Sequence, residues 1–137
     1  LYEVDGAGQR TDWNVRSGGV ATEIPLVLLT NGGSASASEI LVGALQDHQR
    51  ATVVGATTFG KGTVGILREL SNKAGLSIII ARFFTPSGRQ IEDNGLQPDV
   101  EVVNAADPQK AEVLQLERAR EVLEDKIQAN RSTSVSR

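Results

Sequence analysis

The chain has 137 residues, 14 basic against 17 acidic side chains, and a net charge of −3. It holds no cysteine, no methionine and one histidine, His48, which excludes disulfides, thiolate nucleophiles, cysteine zinc sites and multi-histidine metal sites, and leaves only oxygen ligands for a hard cation. One domain with its own core fits this length, no basic stripe marks a nucleic-acid surface, and no apolar run approaches the ~18 residues of a membrane span.

Residues 1–24 are polar and punctuated by glycine, with strand-like pieces at Leu1–Val4 and Trp13–Arg16, and read as a hairpin or meandering entry segment. Leu26 to Leu29 form a continuous apolar run, the pattern of a strand buried on both faces. A loop of small residues, GGSASASE, follows, and then SEILVGALQDHQ reads as a helix with an apolar stripe of Ile40, Leu41, Ala44 and Leu45. ATVVGA (51–56) is a second buried strand. TVGILREL (63–70) and GLSIIIARFF (75–84) read as a hairpin around SNKAG. TPSGR and EDNG are turns, and LQPDVEVV (96–103) carries a short strand after Pro98. Asp107 as N-cap and Pro108 at the first helical position open a helix over 107–130, with Val113, Leu116, Ala119, Val122, Leu123 and Ile127 at helical spacing. The polar tail 131–137 reads as disordered. Strands alternating with helices make the class α/β.

Two segments can carry chemistry. In Gly33-Ser34-Ala35-Ser36-Ala37-Ser38-Glu39 a hydroxyl sits at a helix N-terminus, where free N–H groups and the helix dipole stabilise an oxyanion. The same residues also fit a capping box, Ser36-x-x-Glu39, or an N-cap at Ser38. A serine nucleophile needs a base. His48 lies twelve residues along the same helix, about 18 Å away at 1.5 Å per residue, so it reads as an exposed or capping residue near the helix end. The second segment, Thr58-Phe59-Gly60-Lys61-Gly62, sets a lysine between two glycines after an apolar strand. Lysine acts as a general base only when neutral, which calls for burial away from carboxylates. Val53, Val54, Phe59 and Val64 are apolar neighbours in sequence. The alternative is a turn lysine pointing to water. Gly55 to Lys61 also matches the G-x-x-x-x-G-K of a phosphate-binding loop. However, Gly62 replaces the metal-binding hydroxyl, and a strand-like segment follows where a helix is required.

Taken together, NGGSASASEILVGALQD, VVGATTFGKGTV and ARFFTPSGRQIEDNGLQPDVEV resemble the C-terminal processing peptidases, or tail-specific proteases, almost continuously over residues 25–103. The resemblance implies a crotonase/Clp-like α/β core. Residues 25–106 would form the C-terminal part of the peptidase catalytic core. It implies a serine–lysine dyad: Ser36 as nucleophile, and Lys61, 25 residues later, as general base, with Ala37 N–H in the oxyanion hole. It implies protein C-termini as substrates, no metal or other cofactor, no nucleic-acid partner, and an extracytoplasmic setting, either periplasm, cell envelope or thylakoid lumen. The final helix could pack on its own core or on a second subunit as a homo-oligomer. The family carries a glutamine four residues after the lysine; here that position is Gly65. The family also carries a PDZ domain and an N-P-G-G loop upstream, which are expected to lie before Leu1, so the 137 residues alone are expected to be inactive. A non-catalytic binding relative of the same fold is the competing expectation, favoured by Gly65 and opposed by Ser36 and Lys61.

Overall fold

The computed structural model describes residues 1–103 and 107–135. Two sheets organise it. The first has strand order β2-β1-β6-β5 and is antiparallel throughout. It joins β1 (Tyr2–Asp5) and β2 (Arg10–Asp12) to the long hairpin of β5 (Thr63–Glu69) and β6 (Gly75–Phe84). The second has order β3-β4-β7 and is parallel. It contains β3 (Val27–Thr30), β4 (Thr52–Gly55) and the two-residue β7 (Val100–Glu101). Between β3 and β4 runs α1 (Ala37–Asp47), the crossover that two neighbouring parallel strands require. The chain is thus α/β, with a helix after the serine loop, a hairpin, and a long final helix α2 (Pro108–Val135).

The core gathers Val42 from α1, Val53 from β4, and Ile91 and Leu96 from the loop before β7, with Leu28 and Phe83 packed against them. Asp99 ties that loop to the parallel sheet. Its Oδ2 accepts from Val53 N–H at 2.7 Å and its Oδ1 from Gln46 Nε2 at 2.9 Å. Tyr2 stacks on Phe84 across β1 and β6 with centroids 5.2 Å apart, and the Arg10 guanidinium lies over the Tyr2 ring, 3.7 Å from its centroid.

Several expectations need correction. The second entry strand is Arg10–Asp12, not Trp13–Arg16, because the turn at Gly6–Gln9 folds β2 straight back on β1. Only the middle strand β4 is buried on both faces; β3 is the sheet edge, and Leu29 is 49% exposed. In α1 the fully buried residues are Glu39, Val42 and Gly43, whereas Leu41 of the expected stripe is exposed. In α2 the inward face carries Gln115 and Ala119, while Val113 and Leu116 are exposed. Gln115 is held inward by donating from Nε2 to Val102 O at 2.8 Å. The helix starts as expected, with Asp107 Oδ1 accepting from Lys110 N–H at 3.1 Å. It does not stop at Ala129 or 130: no glycine or proline follows, and residues 131–135 of the expected tail remain helical. Residues 104–106, the end of the expected core, and 136–137 lie outside the described residues.

Candidate active site

The strand–loop–helix unit β3–α1 presents Ser36 as the N-cap of α1, on the surface. Its backbone is unusual for a residue with a side chain, with φ 58° and ψ −118°. Such a conformation costs about 1–3 kcal/mol and persists only where the surroundings enforce it. Ser36 N–H donates to Glu39 Oε2 at 2.9 Å. Ser36 and Glu39 thus pair as a capping box. Glu39 N–H also reaches the Ser36 carbonyl oxygen at 2.9 Å. The next amide, Ala37 N–H, has no hydrogen-bond partner among the described residues. A free N–H at the first position of a helix, beside a surface hydroxyl, is one donor of the kind that stabilises an oxyanion.

The lysine turn is held against this loop. Phe59 N–H donates to Ser34 O at 2.9 Å. Glu39, wholly buried, takes four hydrogen bonds. Oε1 accepts from Thr58 Oγ1 at 2.5 Å and Gly60 N–H at 2.7 Å. Oε2 accepts from Lys61 N–H at 2.8 Å as well as from Ser36 N–H. The main-chain nitrogens of Ser36 and Lys61 therefore share one oxygen atom. From the other side, Glu92 Oε2 accepts from Gly62 N–H at 2.6 Å, and Asp93 N–H donates to Gly60 O at 3.0 Å. The two glycines around Lys61 follow from this crowding. A Cβ on Gly60, whose φ is +91°, would lie 2.9 Å from Gly95 N, and one on Gly62 would lie 2.5 Å from Glu92 N.

The environment expected for Lys61 is not the one found. Its side chain is exposed, Phe59 is 66% exposed, and its backbone is bonded to a carboxylate. Lys61 also precedes β5, which begins at Thr63, so Gly65 shares no strand face with it. Among the described residues no hydrogen bond links the Ser36 and Lys61 side chains. His48 is the exposed C-cap residue of α1, at the opposite end from Ser36. The phosphate-loop alternative fails on two counts. A strand follows Lys61, and the N–H groups of Gly60 and Lys61 are taken by Glu39. Among the described residues no group of three or more His, Asp or Glu side chains is arranged to hold a metal ion. Sequence reasoning registered Glu39 only as a capping residue. Its reach to the lysine turn has no local signal.

Beside Ala37, a hollow is lined by Trp13, Val15, Ile40, Leu41 and Ala44. Three residues of the expected α1 stripe, Ile40, Leu41 and Ala44, stand in its wall.

The family model of peptidase family S41 matches residues 2–102. The chain belongs to peptidase family S41. It is 48% identical over 99 residues to a carboxyl-terminal-processing protease of Synechocystis, covering 72% of this chain and 23% of that protein. It is 44% identical over 101 residues to the chloroplastic carboxyl-terminal-processing peptidase 3 of Arabidopsis thaliana, covering 74% of this chain and 20% of that one. Among solved structures, a photosystem II D1 C-terminal processing protease superposes with a TM-score of 0.53 at 47% identity, over 56% of this chain and 20% of that chain. A lipoprotein of Streptococcus agalactiae shares the fold, with a TM-score of 0.61 at 18% identity over 85% of this chain and 44% of that one. The S41 chain thus spans about a fifth of the length of the curated relatives. Its helices include none that is long and apolar enough to cross a membrane, among the described residues.

Proposed function

We propose that this S41 chain carries the nucleophile and base of a serine peptidase that cuts polypeptides near their C-termini. Ser36 Oγ attacks the scissile carbonyl as Lys61 Nζ takes its proton. Ala37 N–H stabilises the oxyanion. Lys61 then passes the proton to the leaving amine, and the acyl-enzyme is released by water. The observation that carries this reading is the joining of the two segments. A strained serine at a helix N-terminus and a glycine-flanked lysine have their amides on one carboxylate oxygen. The names of the relatives support C-terminal processing as the activity. An extracytoplasmic or plastid setting is proposed on the same ground, since one relative's name places it in the chloroplast.

The test is covalent. A fluorophosphonate probe is expected to modify Ser36, detected by intact mass and peptide mapping. Ser36→Ala removes the label, and Lys61→Ala slows labelling at least about 100-fold, the scale of general-base assistance. Labelling that ignores both substitutions overturns the dyad. A binding relative that performs no chemistry is the second reading. It draws on the exposure of Lys61 and the absence of a side chain at Gly65. Lysine-dependent acylation of Ser36 excludes it.

A further inference from the structure

We infer that Glu39 is a positioning residue that locks the Ser36 loop and the Lys61 turn into one unit. The inference rests on the dyad for its catalytic meaning, but the clamp stands on geometry alone. A wholly buried carboxylate is tolerated when its oxygens are fully bonded. Here four donors meet it, one from its own helix cap and three from a turn 19 to 22 residues away in sequence. Oε1 fastens Thr58 and Gly60; Oε2 bridges Ser36 and Lys61. Charge-assisted bonds of this kind are the strong ones. The bond to Ser36 N–H holds the residue whose positive φ needs outside support.

Glu92 performs a different task. It takes Gly62 N–H and, among the described residues, makes no hydrogen bond to the serine loop. Three consecutive amides, 60 to 62, are thereby filled by the chain's own carboxylates. A run of such amides is a natural anion nest. In this chain the anion is built in, and removing Glu39 should leave a vacancy for a small free carboxylate.

The experiment is residue-resolved amide exchange on the 137-residue chain. In Glu39→Ala, protection at Ser36, Gly60 and Lys61 is expected to fall together by at least about tenfold, relative to Val54 in β4, as loss of a bond to a charged group implies. Formate should restore the three, and chloride at equal ionic strength should not. Loosening of Gly60 and Lys61 without Ser36 overturns the clamp. If Glu39→Ala loosens every amide evenly or does not fold, Glu39→Gln decides. Its remaining oxygen serves Ser36 and Lys61. Its amide group faces the Thr58 hydroxyl, which can reverse, and Gly60 N–H, which cannot. Selective loosening of Gly60 is then expected, and an even response overturns the inference. Glu92→Ala serves as the control, affecting Gly62 and not Ser36. Probe labelling separates the two claims. Clamp behaviour with an unreactive Ser36 sinks the dyad alone, and a reactive Ser36 without coupled exchange sinks the clamp alone.

Discussion

A Cβ at Gly62 would sit 2.5 Å from Glu92 N and 2.8 Å from Ile91 Cβ, closer than real atoms approach. Since Gly62 N–H is also bonded to Glu92, the turn cannot move away without losing that bond. Gly62→Ala is therefore expected to destabilise the fold by about 1–3 kcal/mol, the usual penalty of overpacking, read as a lower urea midpoint with an unchanged slope. A midpoint equal to the parent's would mean that the 91–95 loop does not brace the lysine. Gly65 contrasts with it. There a Cβ meets only Ile78 O and Ser77 Oγ, both at 3.8 Å, an ordinary contact. Glycine inside a strand costs roughly 0.5–1 kcal/mol relative to alanine, so Gly65→Gln is expected to leave the urea midpoint unchanged or raise it. A lowered midpoint counts against this. A Cβ at position 65 therefore meets no steric obstacle.

At the scale of elements, the C-terminal end of α1 is fastened to the 85–89 turn by one acid. Asp47, with its side chain 7% exposed, pairs with Arg89 and accepts from Ser87 N–H at 2.8 Å. Burial by itself would raise the Asp47 carboxyl, but hydrogen bonds from Thr85, Ser87 and Arg89 outweigh it and hold it below its ordinary value. The sign follows from linkage. A depressed carboxyl stabilises the fold fully above its unfolded pKa, near pH 4, and the contribution disappears as pH falls through the lower folded value. Asp47→Asn is expected to cost about 1–3 kcal/mol at pH 7 and much less at pH 2–3, measured by urea unfolding across that range. A pH-independent cost would remove Asp47 from the account. Much of this level was legible beforehand. The small-residue loop between an apolar strand and a helix, the hairpin around SNKAG and the Asp107 cap are local patterns, and each corresponds to an observed element. The orientation of the helices was not legible. The sequence marks Glu39 only as a capping residue, and only donors arriving from 19 to 22 residues downstream make its burial tolerable. Gln115 faces inward for the same kind of reason, a distant backbone acceptor at Val102.

For the molecule as a whole, the chemistry expected of it depends on how many donors face the oxyanion. Ala37 N–H, unpaired among the described residues, is the one proposed above. A single missing donor costs 10²–10³ in turnover, whereas a strongly electrophilic probe needs less help at that position. The surface around the site is also open. Phe59 in the lysine turn and Leu41 on α1 stand exposed, and the hairpin leaves Leu67, Leu76 and Ile79 uncovered. Water exclusion, which strengthens every electrostatic contribution in an active site, is therefore slight. The 137-residue chain by itself is expected to acylate on Ser36 with a fluorophosphonate. It should hydrolyse an unstructured peptide with an apolar C-terminus at least about 100-fold more slowly than a polypeptide that supplies a second donor and covers the site. The two rates are measured side by side, with Ser36→Ala as the blank. Efficient peptide turnover by the chain alone, lost in Ser36→Ala, would show that a second donor already lies within these residues. The unpaired amides of the Gly32–Ala37 loop would then be the first place to look for it.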